Sequence, residues 1–175
     1  MNRRGAAAGS TVFLGLAPGV VAGVVPWWLT RWESDGGALP VRLCGAILVL
    51  AGAGVLLHAF ARFVIEGIGT PAPVAPTQRL VVGGLYRSVR NPMYLAVAAT
   101  IVGQGLLLGR EVLLAYALLF AATVFAFVRL YEEPALARRF GADYERYRSE
   151  VPGWWPRLRR RAPSAGPARP GPRRS

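Results

Sequence analysis

The chain has 175 residues, enough for one ordinary domain, and 53% of them are apolar while only 17% are charged. Soluble domains carry about 25% charged residues, so this chain has few of the charged side chains that hydrate the surface of a soluble protein. The 21 basic residues are all arginine and outnumber nine acidic ones, but a nucleic-acid-binding protein would not be so apolar. One cysteine and one histidine exclude an intrachain disulfide and are too few for a structural zinc site. This composition indicates a small integral membrane protein without a metal or a nucleic-acid partner.

Four uncharged or nearly uncharged apolar runs follow one another along the chain, at 11–29, 43–60, 92–109 and 112–128. Each approaches the length of about 20 residues that a helix needs to cross a bilayer. Only Arg110 and Glu111 separate the last two runs, which predicts a tight antiparallel hairpin that either crosses fully or dips in and returns. Glycines within the runs would allow close helix packing in lipid; they are Gly19, Gly23, Gly52, Gly54, Gly103 and Gly105. We therefore predict an all-α membrane bundle of about four transmembrane helices.

The distribution of arginine predicts the orientation of these helices. Of the 21 arginines, 18 lie in the segments 1–10, 61–91 and 129–175, which share one side of a four-span topology. Loops rich in Lys and Arg stay in the cytoplasm. We predict a multi-pass protein with both termini in the cytoplasm.

The segments outside the runs differ in character. The segment 67–84 is rich in Pro and Gly and is predicted to be a loop. The segment 134–151 is predicted to form one cytoplasmic amphipathic helix, whose apolar face contains Leu136, Phe140, Tyr144, Tyr147 and Val151. The Arg- and Pro-rich segment 158–175 is predicted to be a disordered tail, which leaves one domain at 1–157.

A first polar cluster, with Arg87, Arg90, Asn91 and Pro92, stands directly before the third run. The Asn-Pro pair predicts that Asn91 caps a helix whose first residue is Pro92. The N-terminus of a helix favours anions, and the neighbouring arginines add to that preference. This cluster is a candidate site for an anionic group.

A second cluster, with Arg129, Glu132, Glu133 and Pro134, follows the fourth run. Arg129 can reach both glutamates along a helix, so a local ion pair is one explanation. Adjacent carboxylates at a membrane boundary are costly, however, and are candidates for function. Pro134 is predicted to push Glu133 out of helical geometry.

Both clusters lie at the cytoplasmic ends of adjacent runs, so the fold can bring them together. A pocket with arginines, tyrosines and two glutamates suits a zwitterion that carries an extra positive charge. S-adenosylmethionine fits this description, because its carboxylate needs Arg or N–H donors and its ammonium group and ribose hydroxyls need carboxylates.

Two sequence stretches resemble the integral membrane methyltransferases that include the isoprenylcysteine carboxyl methyltransferases and the phospholipid N-methyltransferases. The first is Gly69-Thr70-Pro71-Ala72-Pro73 with Leu80-Val81-Val82-Gly83-Gly84-Leu85-Tyr86-Arg87-Ser88-Val89-Arg90-Asn91-Pro92-Met93-Tyr94. The second is Glu132-Glu133-Pro134-Ala135-Leu136, followed by Phe140-Gly141, Tyr144, Tyr147, Val151-Pro152 and Pro156. The resemblance covers roughly residues 42–157.

The resemblance implies a fold that binds S-adenosylmethionine on the cytoplasmic side and admits a lipid substrate laterally. The residues that would bind this cofactor are Tyr86, Arg90, Asn91, Pro92, Tyr94, Glu132 and Glu133. The isoprenylcysteine enzymes carry His where this chain has Asn91.

The reaction implied is an in-line methyl transfer to a lipid-like or prenylated acceptor. A carboxylate acceptor needs only an arginine to orient it, and Arg87 and Arg129 are the candidates. An amine acceptor must lose a proton, for which Glu132 or Glu133 is the candidate base. Two alternatives stay open: an NADPH-dependent membrane reductase of the sterol or steroid type, and a non-catalytic membrane protein, which would leave the paired glutamates unexplained.

Overall fold

The computed structural model describes residues 17–66 and 80–156, of which 62–66 are described by their backbone alone. Every regular element in these ranges is helical, as the sequence predicts. The elements are α1 (Ala17–Thr30), α2 (Leu39–Glu66), a 3₁₀ turn (Gly84–Arg87), α3 (Pro92–Leu108), α4 (Glu111–Phe127), α5 (Glu133–Phe140) and α6 (Ala142–Glu150). The start of the first apolar run, the loop at 67–79 and the tail at 158–175 lie outside the described residues.

Two of the described helices are long and apolar enough to cross a membrane: Leu39–Ala61 within α2, and the continuous helix Glu111–Phe140 that joins α4 to α5. Helices α1 and α3 are apolar but shorter. The 17 residues of α3 reach about 25 Å, against a hydrocarbon core of about 30 Å. The described helices thus supply two spans by length, and a count of four crossings stays a prediction.

Glycines let the backbones of α2 and α3 lie close together. A Cβ atom added at Gly45 would lie 2.6 Å from the carbonyl oxygen of Gly103, and one added at Gly52 would lie 2.8 Å from that of Ala96. Real side chains do not tolerate such distances, so these positions require glycine. Contacts of this kind replace hydrophobic driving force between helices in lipid.

The other glycines of the apolar runs behave differently from one another. Gly105 lies against Leu113 and Leu114 across the hairpin, as close packing predicts. A Cβ at Gly23 or Gly54 would meet nothing within 4 Å, so the prediction of close packing was wrong at these two positions. A methyl group at either position would extend into open space.

The hairpin between α3 and α4 is as tight as the sequence predicts. Gly109 ends α3 in the left-handed region at φ +71°, and the N–H of Arg110 donates to the carbonyl of Gly105 over 3.0 Å. The Arg110 side chain then forms ion pairs with Asp35 at 3.0 Å and Glu33 at 3.4 Å. These contacts fix the loop after α1 to the hairpin.

Helix α1 contains a π-helical turn just before Pro26. Proline has no N–H, so the carbonyls of Val21 and Ala22 cannot bond to it along the helix. Both carbonyls accept side-chain hydrogen bonds instead, from the Tyr116 hydroxyl at 3.0 Å and from Nε2 of Gln104 at 2.7 Å. Neighbouring helices thus satisfy the backbone that a proline leaves open, as a membrane interior requires.

A second π-helical turn, Val128–Glu132, joins α4 to α5 just before Pro134. The N–H of Glu133 donates to the carbonyl of Val128, and the backbone of Glu133 is helical at φ −59° and ψ −46°. The prediction that Pro134 displaces Glu133 from helical geometry was therefore wrong. The wider turn admits the proline ring without ending the helix.

The single amphipathic helix expected at 134–151 is also wrong, because Gly141 divides it into α5 and α6. Gly141 has φ +52° and ψ −127°, a conformation that essentially only glycine adopts without strain. The change of direction still leaves Tyr144 and Val151 buried. The residues of the predicted apolar face were correct, but the helix that carries them is divided at Gly141.

Candidate functional site

A cavity of about 80 Å³ lies between the turn before α3, the junction of α4 and α5, and α6. Its lining residues are Leu80, Val81, Tyr86, Arg90, Asn91, Val128, Glu132, Glu133, Leu136, Tyr144 and Tyr147. The two polar clusters of the sequence therefore meet in one place, together with two tyrosines from α6. The described part of the chain contains no group of His, Cys, Asp and Glu suited to a metal ion.

Glu133 is the centre of an ion-pair network with three arginines. Its Oε1 lies 2.9 Å from Nη1 of Arg90, and the two side chains are only 7% and 12% exposed. Its Oε2 lies 3.4 Å from Nη1 of Arg129 and 3.7 Å from Nη2 of Arg148. The local pair between Arg129 and Glu133 thus forms, but it is one part of a larger cluster.

Arg90 joins three elements around the cavity. Besides pairing with Glu133, its Nη1 donates to the hydroxyl of Tyr144 over 3.0 Å, and its backbone N–H donates to the carbonyl of Pro152 over 2.9 Å. Its Nε is buried and has no hydrogen-bond partner within the described ranges. Arg90 therefore has an N–H donor left for a ligand.

Glu132 has a different environment from its neighbour. Its Oε2 accepts a hydrogen bond of 3.0 Å from the hydroxyl of Tyr94, and no arginine of the described residues pairs with it. The expected pair between Arg129 and Glu132 does not form. Successive side chains on a helix point about 100° apart, so Glu133 faces the arginines while Glu132 faces α3.

Asn91 occupies the N-cap position of α3 and Pro92 is the first helical residue, as predicted. The Asn91 side chain does not cap the helix, however. Its Nδ2 donates to the carbonyl of Gly153 over 3.2 Å, and its backbone N–H donates to the same oxygen over 3.3 Å. The segment after α6 thus forms a strap, Pro152–Gly153, that holds Arg90 and Asn91.

Tyrosines of α6 close one side of the cavity. The Tyr147 hydroxyl donates to the carbonyl of Tyr86 over 2.7 Å. Burial raises the pKa of Tyr147 far above its usual range, although Arg90 opposes the shift. Burial likewise raises the pKa of Tyr86. Both phenols therefore stay protonated at physiological pH, and Tyr147 remains a donor.

One candidate from the sequence, Arg87, lies outside this arrangement. It is exposed at the end of the 3₁₀ turn and forms no ion pair with the described residues. The other candidates line the cavity or contact its carboxylates, except Pro92, which begins α3.

Sequence reasoning missed four polar contributors to the site: Tyr144, Tyr147, Arg148 and the strap. Tyr144 and Tyr147 were placed on an apolar face, and Arg148 was given no role. The spacing of Tyr144, Tyr147 and Arg148 puts them on neighbouring parts of one helix surface. That pattern does not identify the residues that they contact in other parts of the chain. Their contacts join residues far apart in the sequence.

The chain was compared with known proteins. A protein-family model described as phospholipid methyltransferase matches residues 41–143, which is more than half of the chain. The matched segment contains all of α2 except its first two residues, all of α3 to α5, and every candidate site residue proposed from the sequence. A comparison with curated protein sequences finds no match.

Proposed function

The chain belongs to the phospholipid methyltransferase family, and on that premise we propose that it transfers a methyl group from S-adenosylmethionine to a lipid-like acceptor at the cytoplasmic face of a membrane. The family makes the protein a membrane methyltransferase. We propose three further points: the identity of the methyl donor, the nature of the acceptor and the side of the membrane on which the reaction takes place. One observation supports it above the others: Arg90 and Glu132, both partly buried and each with capacity left for a ligand, line the same cavity.

The donor groups of the cavity suit the amino-acid end of S-adenosylmethionine. The Nε of Arg90 is buried without a partner among the described residues, and it can donate to a carboxylate. The Oε1 of Glu132 can accept from an ammonium group or a ribose hydroxyl, since only Oε2 is bonded to Tyr94. A cavity of about 80 Å³ is smaller than the roughly 300–1,000 Å³ of a complete ligand pocket. We therefore assign the described walls to one charged end of the cofactor.

The cofactor, when bound, supplies an electrophilic methyl group on a positively charged sulfur. The residues of this chain hold it and the acceptor in line, which provides most of the rate enhancement. Tyr94 orients Glu132 by a hydrogen bond, and Glu133 holds the Arg90 guanidinium in place. Leu136 and Val128 line the cavity and help to exclude water from it.

The role of Glu132 depends on the acceptor. An amine acceptor arrives as an ammonium ion, so Glu132 would accept a proton before the nitrogen attacks the methyl carbon. Glu133 is less suited to this step, because both of its oxygens already lie in ion pairs. A carboxylate acceptor needs no base, and Arg129 would then orient it. Arg87 is too exposed and too isolated for that role.

The same proposal covers topology and domain limits. Four crossings with both termini in the cytoplasm agree with the 18 of 21 arginines that lie on one side. Helices α1 and α3 are shorter than the hydrocarbon core is thick. They would then cross where the bilayer is locally thinned or where the neighbouring helices are tilted. Residues 1–157 would form the single domain, and the tail beyond them would add affinity for anionic membranes.

Ligand binding to the detergent-purified protein tests the proposal. Isothermal titration calorimetry with S-adenosylmethionine should show saturable binding, and titration with NADPH should show none. Binding of NADPH with no response to S-adenosylmethionine would support the membrane reductase instead. Binding of neither would contradict both enzymes.

A further inference from the structure

Arg129 and Arg148 form a positively charged cluster to which the proposed function assigns no contact with the methyl donor. Both guanidiniums approach one atom, Oε2 of Glu133, at 3.4 Å and 3.7 Å. The other oxygen of Glu133 is already paired with Arg90 at 2.9 Å. One carboxylate therefore faces three guanidiniums and cannot accept from all of their N–H donors.

The two arginines are accessible, in contrast to Arg90. The side chain of Arg129 is 52% exposed and that of Arg148 is 42% exposed. Each guanidinium carries five N–H donors in a planar fork. The long contacts to Glu133 use only a few of these donors. Glu145 approaches Arg148 only at 3.9 Å and is itself 57% exposed, so solvent screens that pair.

The position of Arg129 indicates where an anion would come from. Arg129 follows directly on the apolar helix α4, and its neighbour Leu130 is 80% exposed. Phe127 and Tyr131 are also exposed beside it. This surface suits lipid chains, so the cluster lies at the boundary between an apolar face and a cavity with two carboxylates. A lipid headgroup can reach it from the bilayer.

We propose that Arg129 and Arg148 bind the phosphate group of a lipid headgroup and so hold the methyl acceptor beside Glu132. This inference rests on the proposed function, because only a methyltransferase needs an acceptor held beside Glu132. Two guanidinium forks from different elements suit the non-bridging oxygens of a phosphate, which they can bind bidentately. Arg148 lies beyond residues 41–143, the segment matched by the family model, so the match itself says nothing about this residue.

Short-chain lipids provide the probes. Binding of dihexanoyl phosphatidic acid to the full-length protein in an uncharged maltoside detergent would be measured by titration calorimetry, with dihexanoylglycerol, its hemisuccinate ester and inorganic phosphate as comparisons. The variants are Arg129→Gln and Arg148→Gln. The matched control is Arg146→Gln, which removes the same charge from an exposed position on α6.

We expect each of the two variants to weaken phosphatidic acid binding about tenfold, which corresponds to the loss of one hydrogen bond to a charged group. The control should bind within twofold of the parent, and dihexanoylglycerol should bind weakly to every variant. Equal losses in all three variants would indicate nonspecific attraction to a basic surface and would overturn the site. Equally tight binding of the hemisuccinate would overturn the choice of phosphate, and equally tight binding of inorganic phosphate would overturn the choice of a lipid.

S-adenosylmethionine binding to the same variants separates this inference from the proposed function. Both variants should bind the cofactor like the parent protein, because Arg90 and Glu132 are retained. If the parent fails to bind S-adenosylmethionine but the lipid result is as expected, the methyltransferase proposal fails and the anion site stands. If the parent binds the cofactor and the variants bind phosphatidic acid normally, the anion site fails alone.

Discussion

The hydroxyl of Tyr94 donates a hydrogen bond of 3.0 Å to Oε2 of Glu132 and joins α3 to the junction of α4 and α5. The bond gives this partly buried carboxylate a fixed orientation without an opposing charge. Its other oxygen is left for a ligand, whereas Glu133 beside it is held by three arginines. The two adjacent glutamates thus have different partners, and substitutions should distinguish them.

The first prediction concerns Glu132. The change Glu132→Gln keeps the size of the side chain and removes its charge, so the protein should fold and bind S-adenosylmethionine more weakly. Loss of a hydrogen bond to a charged group costs about 1.5–3 kcal/mol, or roughly a ten- to hundredfold rise in Kd. Titration calorimetry measures the change, and Glu145→Gln on the exposed side of α6 is the control. Unchanged affinity in a folded Glu132→Gln variant would contradict the proposed role.

The second prediction concerns Glu133, whose removal should affect stability more than binding chemistry. The change Glu133→Gln leaves the buried Arg90 guanidinium without its carboxylate, and breaking a buried ion pair in this way costs about 3–5 kcal/mol. Thermal unfolding in detergent should show a much lower Tm for Glu133→Gln than for Glu132→Gln. Similar Tm values for the two variants would show that the network around Glu133 is not structural.

The third prediction concerns the shape of the Arg90 side chain. The change Arg90→Lys keeps the positive charge but loses the planar fork and the Nε donor. We expect S-adenosylmethionine affinity to fall by about tenfold, the effect of one charged hydrogen bond. Arg138→Lys, on α5 and without an ion pair among the described residues, is the control. Full retention of affinity in Arg90→Lys would show that charge alone is sufficient.

The fourth prediction concerns two glycines of α2. A Cβ at Gly52 would lie 2.8 Å from the carbonyl of Ala96, whereas one at Gly54 would meet nothing within 4 Å. The change Gly52→Ala should therefore destabilise the protein by about 1–3 kcal/mol through overpacking. Gly54→Ala should be neutral or stabilising by up to about 1 kcal/mol, because alanine favours a helix. Unfolding of both variants in the same detergent checks the difference, and equal stability would contradict the close approach of α2 and α3.

The fifth prediction concerns topology. A reporter fused after residue 35 should lie on the opposite side of the membrane from a reporter fused after residue 160, because the arginines are distributed so unequally. Alkaline phosphatase and a fluorescent protein report the two sides in bacterial cells. Activity of both fusions on the same side would exclude the four-span topology.

Composition and local pattern were sufficient to predict most of the helices. The runs 43–60, 92–109 and 112–128 correspond to α2, α3 and α4, because uncharged segments in lipid must satisfy their backbone internally and therefore form helices. The hairpin at Gly109 and the N-cap position of Asn91 are equally local properties. Each depends on residues within a few positions of one another.

Only the tertiary structure decided which polar groups are partners. The rotation of the helix at the π-helical turn points Glu133 at the arginines and Glu132 at Tyr94, and a sequence of two identical adjacent residues contains no such distinction. The break at Gly141 turns α6 so that Tyr144 and Arg148 reach the site, and the strap then binds Asn91 through the carbonyl of Gly153. These contacts join residues that are distant in the sequence, and they form only when the packed helices have fixed positions relative to each other.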